Sequence, residues 1–318
     1  MNFIKVLIFV LFAAVQIIPQ EKSIVSIEST KSSNTIPEYS NDAKIPLSLT
    51  PHVAPVDKID PLRTELDYKM LAGVGAATIG MGYFIHRYQQ QAWWTNQSRK
   101  FRFQNDPTYA LGIDKAGHFF GGALLAHAFS GALEAANMQS EPAAIWGTSL
   151  SILFEMYVEI YDGFGPEWGF SPGDAIADVL GAGFTLSQYY FPFMKNFQAK
   201  VSYYPSQKMR DGLHKGNAID DYEGQKYWLS VRVRNFLPKE AAEIWPEWLN
   251  IAGGVGIRNM DGAGGGSRDF YLALDLDAEA IPLYGGVWQF VKNTLNYIHF
   301  PMPAVRFGKD SAFFVFMF

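Results

Sequence analysis

Between Asp114 and Gly183 the chain is apolar almost throughout, and its few carboxylates recur at helical spacing. A helix turns about 100° per residue, so Thr148, Ser151, Glu155, Glu159 and Asp162 share an arc of roughly 80° on the stretch around Ala143 to Tyr161. The following stretch carries the same kind of stripe in Asp174, Asp178, Gly181, Thr185 and Gln188. The preceding one places Asp114, His118 and Gly121 on one face, which turns apolar at Leu125. Short connections make successive helices antiparallel. The start of the first helix, the end of the second and the start of the third then lie at one level. Asp114, His118, Glu155, Glu159, Asp162, Asp174 and Asp178 are expected to gather there.

Beyond Lys200 the period shortens to two. Tyr227 to Phe236 alternates, with Arg232 and Arg234 on one face, and Leu249–Asn259 and Asp269–Asp277 read as strands joined by the Gly-rich loop Met260–Ser267. Val287 to Ile298 has helical spacing that Pro301 and Pro303 end, and Ala312 to Phe318 reads as a terminal aromatic strand. That makes about four strands, whereas a closed membrane barrel takes at least about eight. A short antiparallel sheet packed on the helices is expected.

The flanking patterns divide the chain. Residues 1–19 hold Lys5 and an apolar run from Val6 to Ile18, a signal peptide or N-terminal anchor with a poor cleavage site. Residues 20–61 are rich in Ser, Thr, Pro, Asn and Lys without any period, the mark of a disordered linker. The helical bundle spans 62–199 and a smaller α+β region 200–318. In the bundle's first helix Met70–Ile85 is uncharged, and Gly73, Gly75, Gly80 and Gly82 are spaced for close helix contact. His86, Arg87, Trp93, Trp94, Arg99, Lys100 and Arg102 follow as an interfacial segment. A spanning helix needs about 20 apolar residues, more than any run here offers. Yet the helices are apolar on nearly every face. Carboxylates facing one another at a membrane edge reconcile the two facts. The expected class is mainly α: an apolar bundle of about four helices, membrane-embedded, with the C-terminal α+β region beside it.

Composition narrows the chemistry. A net charge of −5 points away from a nucleic-acid partner, and the absence of cysteine excludes disulfides, thiol catalysis and lipid attachment through Cys. Ser171-Pro172-Gly173-Asp174 is a capping box with Pro at the first helical position, giving Ser171 and Asp174 a structural role. Asp114 suits an N-cap. Lys115 opposes the helix dipole there, so a nearby carboxylate is expected to pair with it. Capping leaves His118, Glu155, Glu159 and Asp178 without a purpose; they form either a structural polar network or a ligand or catalytic site. One His among carboxylates favours Mg²⁺, Mn²⁺, Ca²⁺ or iron over zinc, with Asp114, His118, Glu155, Glu159, Asp162, Asp174 and Asp178 as candidate ligands. Glu159 and His118 are the candidate acid/base groups. Gly147–Ser151 lacks the last glycine of a nucleophile elbow, and Gly253–Gly256 lacks the third glycine of a dinucleotide loop. His52, His86, His127, His214 and His299 stand isolated and read as surface or core histidines.

The ordered set Asp-Lys-x-x-His, Glu-x-x-Asp, a turn ending in Ser, and Asp-x-x-x-Asp-x-x-Gly resembles the YfiM-like family of predicted periplasmic lipoproteins. More distantly it is similar to the VanZ-like membrane proteins. The matching positions are Asp114, Lys115, His118, Glu159, Asp162, Ser171, Asp174, Asp178 and Gly181, within about a quarter of the chain. The resemblance implies an envelope-associated helical domain and supplies no reaction. Two departures stand out: no cysteine is present to carry a lipid, and Val158 replaces a lysine common in the family. The expected protein is thus an exported, membrane-associated envelope protein, at the inner or outer membrane, with lipid as its partner. Its buried Asp/Glu/His cluster is structural or binds a polar headgroup. The alternative is a metal-dependent enzyme acting on a lipid or lipid-linked envelope substrate.

Overall fold

A computed structural model describes residues 65–92, 94, 100–165, 168–261, 264–284, 286–308 and 310–318. The signal or anchor and the linker expected over 1–61 lie outside the described residues, as do Trp93 and Arg99. The helices are α1 (Tyr68–Ala92), α2 (Ile113–Ala135), α3 (Ser140–Asp162), α4 (Pro172–Tyr190) and α7 (Gly286–Leu295), with the short α5 (Gln207–Arg210) and α6 (Lys239–Ile244) among the strands. The strands are β1 (Phe197–Tyr203), β2 (Gln225–Val231), β3 (Leu249–Arg258), β4 (Ser267–Leu276), β5 (Met302–Phe307) and β6 (Ala312–Met317). They form one antiparallel meander in chain order, two strands more than expected. The strand read over Tyr227–Phe236 stops at Val231 and passes into a 3₁₀ turn, Val233–Phe236. Among the described residues only α3 is long and apolar enough to cross a membrane. The membrane-embedded bundle expected from the sequence gains no support beyond that one helix.

Glycine fixes how closely α2, α3 and α4 cross. A Cβ on Gly181 would lie 1.9 Å from the Phe119 carbonyl oxygen, and one on Gly122 2.3 Å from that of Asp178. A Cβ on Gly147 would lie 2.5 Å from the Ser130 amide nitrogen. The glycines of α1 have no such part: Gly73, Gly75, Gly80 and Gly82 meet nothing within 4 Å. On α1, Gln89 is the one buried residue. Among the described residues no helix packs on these glycines.

The other face of α2 packs on the sheet, where Phe120 and Ala123 join Ala199, Val201 and Tyr297 in one core cluster. A second core lies on the opposite side of the sheet, where Trp228, Tyr271, Ala252, Ala273 and Ala304 meet. The sheet curls around it. Tyr297–His299, the approach to β5, bonds β1 through Val201 N to Tyr297 O (2.9 Å) and His299 N to Val201 O (2.9 Å). Small residues make room within the curl, since a Cβ on Gly254 would lie 2.3 Å from the Trp228 ring.

The chain enters α2 through a tight turn, Tyr109–Gly112, in which Ala110 (φ 44°), Leu111 (φ 54°) and Gly112 (φ 81°) are all left-handed. Arg268 of β4 donates its Nε–H to the Leu111 carbonyl and braces that turn.

Near the end of α2, Glu134 is buried and its Oε2 lacks a hydrogen-bond partner. Burial pushes its carboxyl up to about 7, against 4.5 normally, with a Ser140 hydrogen bond offsetting part of the shift. The folded state then holds the extra proton between those values, so stability is greatest below the unfolded pKa and falls as pH rises through about 7. The decline amounts to about 3 kcal/mol. Glu134→Gln is expected to flatten this slope and raise Tm at pH 8. An unchanged melting profile from pH 5 to 8 in both proteins would contradict it.

Candidate functional site

His118 lies one turn into α2, between the end of α3 and the start of α4. Its Nδ1 is 3.0 Å from Asp178 Oδ1 and 3.8 Å from Glu159 Oε1. Its Nε2 is 4.0 Å from Asp114 Oδ1 and 3.8 Å from Asp174 Oδ1. Antiparallel helices joined by short turns bring these groups together, and the close α2–α4 crossing at Gly122 and Gly181 sets the His118–Asp178 distance.

Lys115 is the second cation. Its Nζ reaches Asp174 Oδ1 (2.7 Å), Asp106 Oδ1 (3.0 Å) and Asp114 Oδ2 (3.1 Å), which answers its adverse place at a helix start. Ser171 caps α4, accepting from Asp174 N at 3.2 Å. The reciprocal half of the capping box is made elsewhere: the Ser171 N–H goes to Glu159 Oε2 at 3.1 Å. That exchange releases the Asp174 carboxylate toward Lys115 and His118. Asp114 does not cap α2. The N-cap is Gly112, and the left-handed turn before it starts the helix at Ile113, so Asp114 sits inside the first turn. Its Oδ1 accepts instead from Tyr222 OH at 2.8 Å.

Glu155 and Asp162 complete the ring. A Cβ on Gly121 would lie 3.0 Å from Glu155 Oε1, so the missing side chain leaves that carboxylate its place. Asp162 Oδ1 accepts from Trp94 Nε1 at 2.6 Å. Burial pushes the Glu155 carboxyl up to about 8, with the Asp178 charge adding to it. Burial likewise takes Glu159 to about 8 and Asp162 to about 6. For His118 burial acts downward, but the hydrogen bond to Asp178 and the charges of Asp178, Asp174 and Asp114 outweigh it and hold the imidazolium well above its usual value. Carboxylates outnumber cations around this point.

The cluster opens on a cavity of about 660 Å³ between the helices and a loop of the sheet region. Asp114, His118, Glu155, Glu159, Asp162 and Asp174 line one side. Tyr222, Asp220, Asp221, Glu223, Lys208 and His214 line the other. His214 is therefore not isolated: its Nε2 is 3.3 Å from Asp220 Oδ1 at the cavity wall. His299 is fully enclosed within the sheet, 2.9 Å from Asp275. Asp106 and Tyr222 escaped the sequence reading because neither belongs to a periodic stretch; the nearest signal was the need of Lys115 for a partner.

Among the described residues two sets of donor atoms lie close enough to share an ion. Asp114, His118 and Asp174 form one and His118, Glu159 and Asp178 the other, with all atoms of a set within 4.8 Å of one another. In the first set Asp178 sits behind the imidazole on Nδ1, the carboxylate–histidine arrangement that orients Nε2 toward a metal.

Residues 102–190 match the model of a family described as predicted periplasmic lipoprotein (DUF2279). The matched stretch holds α2 to α4 with the helical carboxylates, and ends where α4 ends. The VanZ-like likeness has no such support. A comparison with curated proteins found no match, and neither did one with solved structures.

Proposed function

We propose that the chain is an exported cell-envelope protein whose acidic cavity binds a divalent cation. His118 Nε2, Asp114 and Asp174 hold the ion, and Asp178 orients the imidazole. The observation that carries this reading is the two-sided setting of His118, with Asp178 at 3.0 Å on one nitrogen and two carboxylate oxygens at 3.8 and 4.0 Å on the other. The charge of the cavity wall supports it: a phosphate would meet mostly carboxylates there, whereas a cation relieves them. Oxygen donors with a single imidazole suit Mg²⁺, Mn²⁺, Ca²⁺ or Fe²⁺. The apolar run Val6–Ile18 and the family's periplasmic description support export.

Calorimetric titration of chelator-treated protein with Mn²⁺ tests the reading. One ion per chain is expected, with affinity reduced roughly 10–100-fold in Asp178→Asn, as for an orienting carboxylate. Asp174→Asn is expected to lose the ion while keeping its near-UV spectrum. Folded protein that takes up no Mn²⁺ at millimolar concentration would leave the cluster as an ion-pair network built around Lys115.

A cavity of about 660 Å³ is far larger than an ion needs, and that favours a second reading. In it the ion and Glu159 or His118, as acid/base, act on a lipid or lipid-linked envelope substrate. Glu159→Gln would then retain Mn²⁺ and lose turnover of an envelope lipid extract. An extract unchanged by the parent protein argues for binding alone.

A further inference from the structure

The sheet carries its charge inside and its apolar side chains outside. Within the curl, Lys200, Asp275, His299 and Asp269 are buried, and Lys200 Nζ lies 2.7 Å from Asp275 Oδ2. Facing outward on the alternate positions are Leu229, Phe270, Leu272, Phe307, Phe313 and Val315, between 44% and 67% exposed. In a water-soluble antiparallel sheet the alternation runs the other way on its free face. Apolar-out with polar-in is the alternation of strands that face lipid.

We propose that the outer face of β4–β6 docks on a lipid surface, its side chains entering the acyl boundary. Three observations favour lipid over a protein occupant. On the outward positions of β4–β6 the one charged side chain is Arg268, at the start of β4, and it is tied to the Leu111 carbonyl. The face continues past Leu229 into a crevice of about 340 Å³ between α2 and β2–β3, lined by Phe119, Phe120 and Val255, apolar enough for an acyl chain. Exposed apolar residues also stand on the helices, Leu153 on α3 and Ile176 and Leu180 on α4, whereas a second copy of the chain would cover one self-complementary patch. This inference does not depend on the cation site.

The chain has no cysteine, so single thiols report on single places. The full chain with Leu272→Cys or Phe313→Cys, nitroxide-labelled and mixed with phosphatidylcholine vesicles, is read by spin-label collision with oxygen and with a nickel chelate. Glu240→Cys on α6, which is exposed, serves as the aqueous control. At Leu272 and Phe313 collisions with oxygen are expected to exceed those with the chelate several-fold, and at Glu240 the order reverses. An N-terminal anchor would bring the protein to vesicles without producing that contrast. Chelate collisions dominating at Leu272 and Phe313 would return this face to water and overturn the proposal. Low collision with both reagents, together with a doubled mass in sedimentation, would make it a contact between copies and overturn it equally.

Discussion

Asp275→Ala is expected to destabilise the protein by about 3–5 kcal/mol, the cost of leaving a buried charge without its partner. Lys200 Nζ bonds Asp275 Oδ2 (2.7 Å), the Leu276 carbonyl (2.7 Å) and Asn296 Oδ1 (2.9 Å), and none of its side chain reaches solvent. Asp275 also meets His299 Nδ1 at 2.9 Å and accepts from Ser230 at 2.5 Å. Removing the carboxylate strips the counter-charge from an ammonium that water cannot reach. Removing both charges, as in Lys200→Met with Asp275→Leu, is expected to cost less than Asp275→Ala alone. Denaturant melts of the three proteins decide this. A single-variant loss below about 1 kcal/mol would mean that the pair is as weakly coupled as a solvated one. The pair also has a pH signature. Burial acts upward on the Asp275 carboxyl, but the Lys200 charge and the His299 hydrogen bond outweigh it and hold the pKa below the usual value. Its stabilisation is therefore present above the unfolded carboxylate pKa and is lost as pH falls through the lower folded value. Acid unfolding should be steeper in the parent protein than in Asp275→Ala.

The second large effect is expected at Gly181. An alanine methyl would lie 1.9 Å from the Phe119 carbonyl oxygen, so α2 and α4 must separate or the backbone must bend. Overpacking of this kind costs about 1–3 kcal/mol and more where backbone is the obstacle. Because that crossing also sets His118 against Asp178, Gly181→Ala should lose Mn²⁺ affinity in protein that remains folded. Gly183→Ala is the control. It lies two residues on in the same helix with nothing within 4 Å, and alanine is the better helix former, so stability should hold or rise. Equal melting temperatures for Gly181→Ala and the parent would show that the two helices can slide apart freely.

Much of the helical half was legible because two constraints agree there. A stripe of Glu155, Glu159 and Asp162 on an otherwise apolar helix must face something, and turns as short as Ala136–Gln139 leave little choice of what. Terminal details were harder. Asp114 looked like a cap because aspartate usually is one, and nothing in Ala110-Leu111-Gly112 announced three left-handed residues ahead of it. In the sheet, β3, β4 and β6 declared themselves by alternation. β1 did not, because both of its faces are buried: Ala199 and Val201 against α2, Lys200 and Ser202 within the curl. β5 was hidden by Pro303, which falls at the register shift between Met302 and Ala304, where a missing N–H is tolerated. Asp106 and Tyr222 join the cluster from far apart in the chain, a kind of neighbour that no local pattern encodes.

The braced turn ahead of α2 ties the two halves into one cooperative unit. Each left-handed alanine or leucine costs about 1–2 kcal/mol, which a free chain would shed by relaxing. Arg268 lies more than 150 residues downstream of that turn, on β4, and its bond to Leu111 is what opposes the relaxation. Excising residues 102–190 as a self-standing fragment would discard that brace and let the first turn of α2, with Asp114 and His118, drift from register. Helices and sheet should accordingly melt in a single calorimetric transition.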